Sequence, residues 1–281
     1  MTTVMEWAKH LLLAPDLSAK LSPLSLTAPM GAWDASFTLP KSPARSERLK
    51  FSDEKMKFPK QNAFHQALPR AQAIHSFGNH ELLAIEMMAA ALLVYPHSDI
   101  DPDSIRLKRG IMSALRDEQK HLALYIRRIQ DLGHDFGEFP LNDFFWRQME
   151  KLPTAASFLS LMALTFESAN LDFSLFYEGI FRQAGDVQTA DVLLTVYEDE
   201  VTHVALGGHW LDKWRGDQTL WDYYRATLPF PITPARSRGL IYRPETRLEA
   251  GLPQEWADEL GRFIDPFKVT QRRGIHETNS R

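Results

Sequence analysis

The sequence predicts an all-α protein. The expected core is a four-helix bundle, two helical hairpins joined by a long crossover, with an extended N-terminal arm and a C-terminal extension. Three observations predict it. Four stretches carry mostly apolar residues at steps of three and four, the period of a helix that buries one face. Each of these stripes has one glutamate in its middle, in order Glu81, Glu118, Glu167 and Glu200. Two of the four are followed three residues later by histidine, Glu118/His121 in DEQKH and Glu200/His203 in DEVTH.

The N-terminal segment and arm cover residues 1–68. Residues 1–20 are expected to include a short helix. The opening MTTVMEWAKHLLLAPDL has an apolar patch but no basic leader and no small-residue cleavage site, so it reads as an amphipathic segment of the mature chain. Residues 21–68 are rich in Pro, Ser and Lys and lack helical periodicity, which predicts an extended arm wrapped on the bundle. Residues 41–70 hold eight Lys or Arg (Lys41, Arg45, Arg48, Lys50, Lys55, Lys57, Lys60, Arg70) against Glu47, Asp53 and Glu54, a local +5 in a chain of net charge −4. The favoured reading is a solvated basic arm that packs around an acidic bundle; the alternative is a patch for an anionic substrate or partner.

The bundle covers residues 69–214. Its first helix should start after Pro69 and end by Tyr95, where Pro96 stops it. Asp103 or Ser104 is expected to cap the second, which ends near Gly133. Residues 134–153 cross over, with a short helix at 142–151. Thr154 opens the third helix, expected to run to about Ala184. Gly185 and Asp186 turn into the fourth, which ends near Trp214. One long and two short connections are the ferritin-like connectivity. Residues 215–281 form the C-terminal extension, proline-rich, with one further helix at 254–263.

The stripes place the carboxylates. They read Ile74, Phe77, Glu81, Ile85, Met88; Ile111, Leu115, Glu118, Leu122, Tyr125; Ser160, Leu164, Glu167, Leu171, Ser174; and Leu193, Val196, Glu200, His203, Gly207. An ionised carboxylate on a core face costs several kcal/mol even after relaxation. Paired charges, hydrogen bonds or a metal offset that cost. For any single glutamate a buried ion pair is the better reading. For four in register with two histidines, metal binding is. Residues three apart share a helix face, so each Glu-x-x-His can reach one ion. An oxygen-rich, nitrogen-poor donor set suits iron or manganese better than structural zinc. The order Glu, Glu-x-x-His, Glu, Glu-x-x-His is that of a ferritin-like di-iron or di-manganese site. Two iron ions are expected, with manganese or a mixed pair as the alternative. Glu118 and Glu200 would bridge, Glu81 and Glu167 would bind terminally, and His121 and His203 would each ligate one ion.

Register favours Glu81 on the first helix. It lies 15 residues before Pro96, and Glu118 lies 15 residues after Asp103, which sets them level in an antiparallel hairpin. Glu86 is the competitor. Glu86 and His80 are expected to hydrogen-bond a ligand carboxylate; Glu178 and Glu198 are weaker alternatives in the second half. Tyr125, one turn past His121, is a weak candidate for a redox or proton-donating tyrosine against the stronger reading of a packed core residue. His75 and His209 read as core or supporting histidines, and His134 is given no role.

FGNHELLAIEMMAAALL, LRDEQKHLALYIRRIQDLGHDFGEFP, LTFESANLD and YEDEVTHVALGGHWL together resemble a bacterial ferritin-like family of unassigned function, over residues 70–214 and in the arm before them. The resemblance implies metal ligands at Glu81, Glu118, His121, Glu167, Glu200 and His203. Helix one departs in detail, with His80-Glu81-Leu82 where the family pattern is approximately His-Ile-Glu. The chain is similar, more distantly, to di-iron hydroxylases that act on a hypermodified adenosine in tRNA. The expected function is therefore an O2-activating di-iron oxidoreductase or hydroxylase with an external electron donor; the alternative is an iron- or peroxide-handling protein without an organic substrate. A small molecule or an anionic substrate is the expected partner, with tRNA the less favoured choice, no membrane, and a monomer or small homo-oligomer. The absence of cysteine excludes disulfides, thiolate catalysis and iron–sulfur clusters within this sequence and fits a cytoplasmic setting. No run of 18 apolar residues is expected. No nucleotide-binding glycine loop, nucleophile elbow or nucleic-acid-binding signature is found.

Overall fold

The computed structural model describes residues 2–54, 56–98 and 100–267. Lys55 of the basic arm and residues 268–281 of the expected extension lie outside the described residues. The chain is all-α, with ten α-helices and no strand among the described residues. Two compact units can be told apart: residues up to Ala155 with Ile180–Val192, and Ala156–Gly179 with the described residues from Leu193 onward.

In the first unit, α1 (Val4–Leu13) starts on a reciprocal cap. Thr3 Oγ1 accepts from Glu6 N at 3.2 Å, and Glu6 Oε2 accepts from Thr3 N at 2.8 Å. Its face Val4, Trp7, Ala8, Leu11 and Leu12 is fully covered, against α3. A short α2 (Leu17–Lys20) follows. The arm is extended as expected, broken by 3₁₀ turns at Glu47–Leu49 and Gln61–Ala63. It is fastened by Trp33 Nε1 donating to Leu93 O at 3.0 Å and by Arg45 reaching Glu86.

α3 (Ala67–Val94) and α4 (Pro102–Asp131) pack on each other as the first hairpin. The cap of α4 is Asp101, whose carboxylate accepts from Asp103 N at 3.1 Å, and not Asp103 or Ser104. Pro102 at the first helical position explains the shift: its missing N–H is one the helix leaves unbonded there. α3 departs from its expected single stripe. It is buried on most of its circumference, because α1 covers what α4 does not. α3 passes a mean-hydropathy test for a bilayer-crossing helix over one 18-residue window, but Glu81 interrupts the apolar run and 83% of that window is buried within the protein.

Lys108 on α4 is enclosed in this unit, its Nζ donating to Leu92 O at 2.5 Å. Burial pulls its ammonium down to about 7. An unfolded chain's lysine titrates near ~10.4, so between these values the unfolded state holds a proton that the folded state has released. Stability therefore rises as pH climbs through that window. Lys108→Met is expected to flatten the rise, read as the difference in urea midpoint between pH 7 and pH 9.5. An unchanged difference contradicts the assignment.

The crossover is tied to the arm, with Trp146 Nε1 donating to Lys41 O at 2.9 Å and Ser52 N to Leu141 O at 2.9 Å. The helix expected at 142–151 is a 3₁₀ segment, Trp146–Lys151. Gly185, at φ +81°, makes the turn before α7 (Val187–Trp214). Asp186 caps α7, accepting from Thr189 N, and is held by Arg128 at 3.1 Å and Arg70 at 3.2 Å.

The third long helix, of which residues 156–179 belong to the second unit, is not α throughout. α5 (Ala155–Leu161) passes into a π-helical segment, Met162–Glu167, and then α6 (Ser168–Gln183). Ser168 N bonds Ala163 O, five residues back. Apolar periodicity could not reveal this, since the stripe stays apolar through a one-residue insertion. The tail adds α8 (Leu220–Thr227), a 3₁₀ turn at Pro234–Ser237, α9 (Pro244–Glu249) and α10 (Gln254–Arg262). Trp221, Tyr224 and Trp256 form its aromatic core.

Candidate metal centre

Each unit contributes one triad. In the first, Glu81 on α3 and Glu118 and His121 on α4 bring ligand atoms within 4.8 Å of one another. His121 Nδ1 lies 3.7 Å from Glu118 Oε2, the one-face arrangement that i and i+3 spacing dictates. In the second, Glu167 at the end of the π segment meets Glu200 and His203 on α7, again within 4.8 Å. His203 Nδ1 is 3.2 Å from Glu200 Oε2 and 4.0 Å from Glu167 Oε1. Exposure is 4%, 1% and 0% for Glu81, Glu118 and His121, and 4%, 2% and 2% for Glu167, Glu200 and His203. Two buried carboxylates this close repel when both are ionised, and a cation between them removes the repulsion. The donor set of each triad, two carboxylates and one imidazole, fits iron or manganese.

α7 comes very close to the helix carrying Glu167. A Cβ on Gly207 would stand 2.4 Å from the Ala163 side chain. Gly207→Ala is expected to cost about 1–3 kcal/mol by overpacking, measured by urea melts. A neutral substitution contradicts the close approach.

One residue beside the second triad carried no motif signal. Asn170, one turn past Glu167, donates Nδ2 to Glu200 Oε1 at 2.8 Å. Its only sequence mark was its place three after a core glutamate. Such a bond orients a ligand carboxylate.

The other candidates are dispersed. Glu86, fully buried, pairs with Lys20 at 3.2 Å and Arg45 at 2.6 Å. It thus stands in an ion cluster with the arm. His80 is exposed and its ring stacks on Phe145 at 5.0 Å. Tyr125 is buried against Phe77, ring centroids 5.9 Å apart. Glu178 is half-buried and Glu198 exposed. His75 accepts from Gly137 N at 2.9 Å, and burial pulls its imidazole down to about 4, so it is a neutral core acceptor. His134 pairs with Glu138, and His209 is exposed beside Trp210. Within the basic arm, Arg45 is internal, Arg48 meets Asp135 at 3.1 Å, Lys50 meets Glu47, and Arg70 meets Asp186. Four of the seven arm cations among the described residues therefore have acidic partners in this chain.

The chain matches a family described as "Protein of unknown function (DUF455)" over residues 9–258. It is similar to an uncharacterized protein of Haemophilus influenzae, 25% identical over 208 residues, 70% of each chain. No solved structure matches. The family match takes in the arm, both triads and most of the tail, and the chain belongs to the DUF455 family.

Proposed function

We propose that this chain is a non-haem di-metal carboxylate protein, iron or manganese bound, built on a ferritin-like four-helix bundle, and that it is an O2-activating oxidoreductase of the hydroxylase type. The observation that supports this most is the recurrence of one buried triad: a glutamate from one long helix and a Glu-x-x-His from another, twice, all six residues at most 4% exposed. Glu81, Glu118 and His121 would hold one ion and Glu167, Glu200 and His203 the second. The pairing of the triads into one centre rests on their order in the sequence. Iron in such a donor set supplies activation of dioxygen. Asn170 keeps Glu200 aimed, and Leu122, Leu164, Leu171 and Val196, each three or four residues from a triad glutamate on the same helical stripe and all buried, keep those stripes apolar around the ligands.

The long arm and tail favour a small enzyme over a storage shell. Ferrous protein reconstituted without oxygen is expected to consume dioxygen on exposure, to remain a monomer or small oligomer on sizing, and to build no ferric mineral. Accumulation of many ferric ions per chain favours iron handling instead.

A further inference from the structure

Arg247, on α9 in the tail, has no exposed surface, and its guanidinium grips the helix that carries Glu167. Nη2 donates to Ser168 O at 2.7 Å and Nε to Ser168 Oγ at 3.2 Å. Nη1 and Nη2 reach the two oxygens of Asp172 at 2.5 and 2.9 Å. Asp172, equally buried, also accepts from Gly239 N at 2.8 Å and Arg243 N at 3.0 Å. A Cβ on Gly239 would stand 2.4 Å from the Asp172 side chain, so glycine is what lets the tail come this close. The tail takes a second hold inside the π segment. Thr165 Oγ1 pairs with Tyr224 Oη at 2.9 Å, Tyr224 Oη with Ser237 Oγ, and Arg247 Nη2 with Ser237 O at 2.6 Å.

A buried ion pair is weak as a source of net stability, since apolar residues of similar volume do as well. What the planar fork supplies is geometry, several donors in fixed directions. The geometry here is helix register. Converting the π segment to plain α would turn the residues on its two sides by about 100° relative to each other, one residue's rotation. Glu167 and Asn170 would then leave His203 and Glu200. π segments are rare, occur frequently at functional sites, and persist where the surrounding structure supports them.

We propose that Arg247 is a positioning residue for the metal centre. With Asp172 it locks the register just past the π segment, and so aims Glu167 at His203 and Asn170 at Glu200. This rests on the di-metal reading and adds the tail to it as a working part of the site.

The test uses the full chain with Mn(II) alone as probe. Arg247→Lys keeps the charge and loses the fork; Asp172→Asn keeps the shape and loses the pair. Arg238→Met, which removes tail bonds to the Gly261 and Phe263 carbonyls, serves as a control of tail stability. Circular dichroism reports folding, hydrogen exchange reports residues 162–170 in the metal-free chain, and titration reports Mn(II) affinity. In Arg247→Lys and Asp172→Asn, exchange at 162–170 should quicken and Mn(II) affinity should fall about ten- to a hundredfold, the usual effect of removing a group that orients a ligand. Arg238→Met should change neither. Wild-type exchange and affinity in a folded Asp172→Asn protein overturn the proposal, as does an equal loss of affinity in Arg238→Met. If Arg247→Lys fails to fold, Asp172→Asn decides. If the wild-type chain takes up no Mn(II), the di-metal reading falls, and exchange alone decides the register lock: quickening confined to 162–170 supports it, and none overturns it.

Discussion

Glu118→Ala and Glu200→Ala are each expected to remove both metal ions, from about two per chain to almost none. Each glutamate belongs to the Glu-x-x-His pair of its triad, and the di-metal reading makes the two ions depend on both pairs. The control is Glu198→Ala, an exposed glutamate two residues before Glu200 that should leave uptake intact. Elemental analysis after anaerobic reconstitution checks this. A companion melt should show that the rise in Tm on adding metal, expected for any ligand bound only by the folded state, is lost in both variants. Retention of one ion in either variant means that the triads bind independently.

The second large effect concerns Glu86 and separates structure from metal chemistry. Its carboxylate lies between Lys20 and Arg45, all three buried. Glu86→Ala leaves two cations enclosed without their anion, a change worth about 3–5 kcal/mol of stability. Desolvation already pulls the Lys20 ammonium below its usual value, with Glu86 the group that opposes the shift. Losing Glu86 should therefore favour a neutral Lys20 or outright unfolding. The protein that remains folded at low temperature should bind metal as before. Urea melts and metal analysis on one preparation read both quantities, and loss of an ion from a folded Glu86→Ala protein would return Glu86 to the ligand set.

Much of this was legible in the residues because burial and helix period act locally. Two Glu-x-x-His pairs on apolar stripes fix which faces turn inward, and equal distances from the Pro96 turn set Glu81 level with Glu118. The structure places those residues together in the first unit. What stayed hidden has physical reasons. The π segment leaves an apolar stripe apolar, so Met162–Glu167 looked like ordinary α-helix. The Glu86 cluster depends on Lys20 and Arg45, 66 and 41 positions away, contacts that no window of sequence contains. Arg45 looked like one more cation of a solvated arm and is instead an internal anchor. Asn170 and Arg247 act on residues 30 and 75 positions distant, Glu200 and Asp172, and so carried no spacing signal. The cap of α4 fell at Asp101 because Pro102 supplies a helix start that the cap-forming residues Asp103 and Ser104 after it obscured.

The most direct measurement is the metal content of this chain purified from its own host, followed by the same analysis on the variant His121→Ala/His203→Ala. The di-metal account predicts about two iron or manganese ions per chain in the first and a near-complete loss in the second, with helix content unchanged. Metal far below one ion per chain in the native protein, or two ions that persist in the variant, would contradict it.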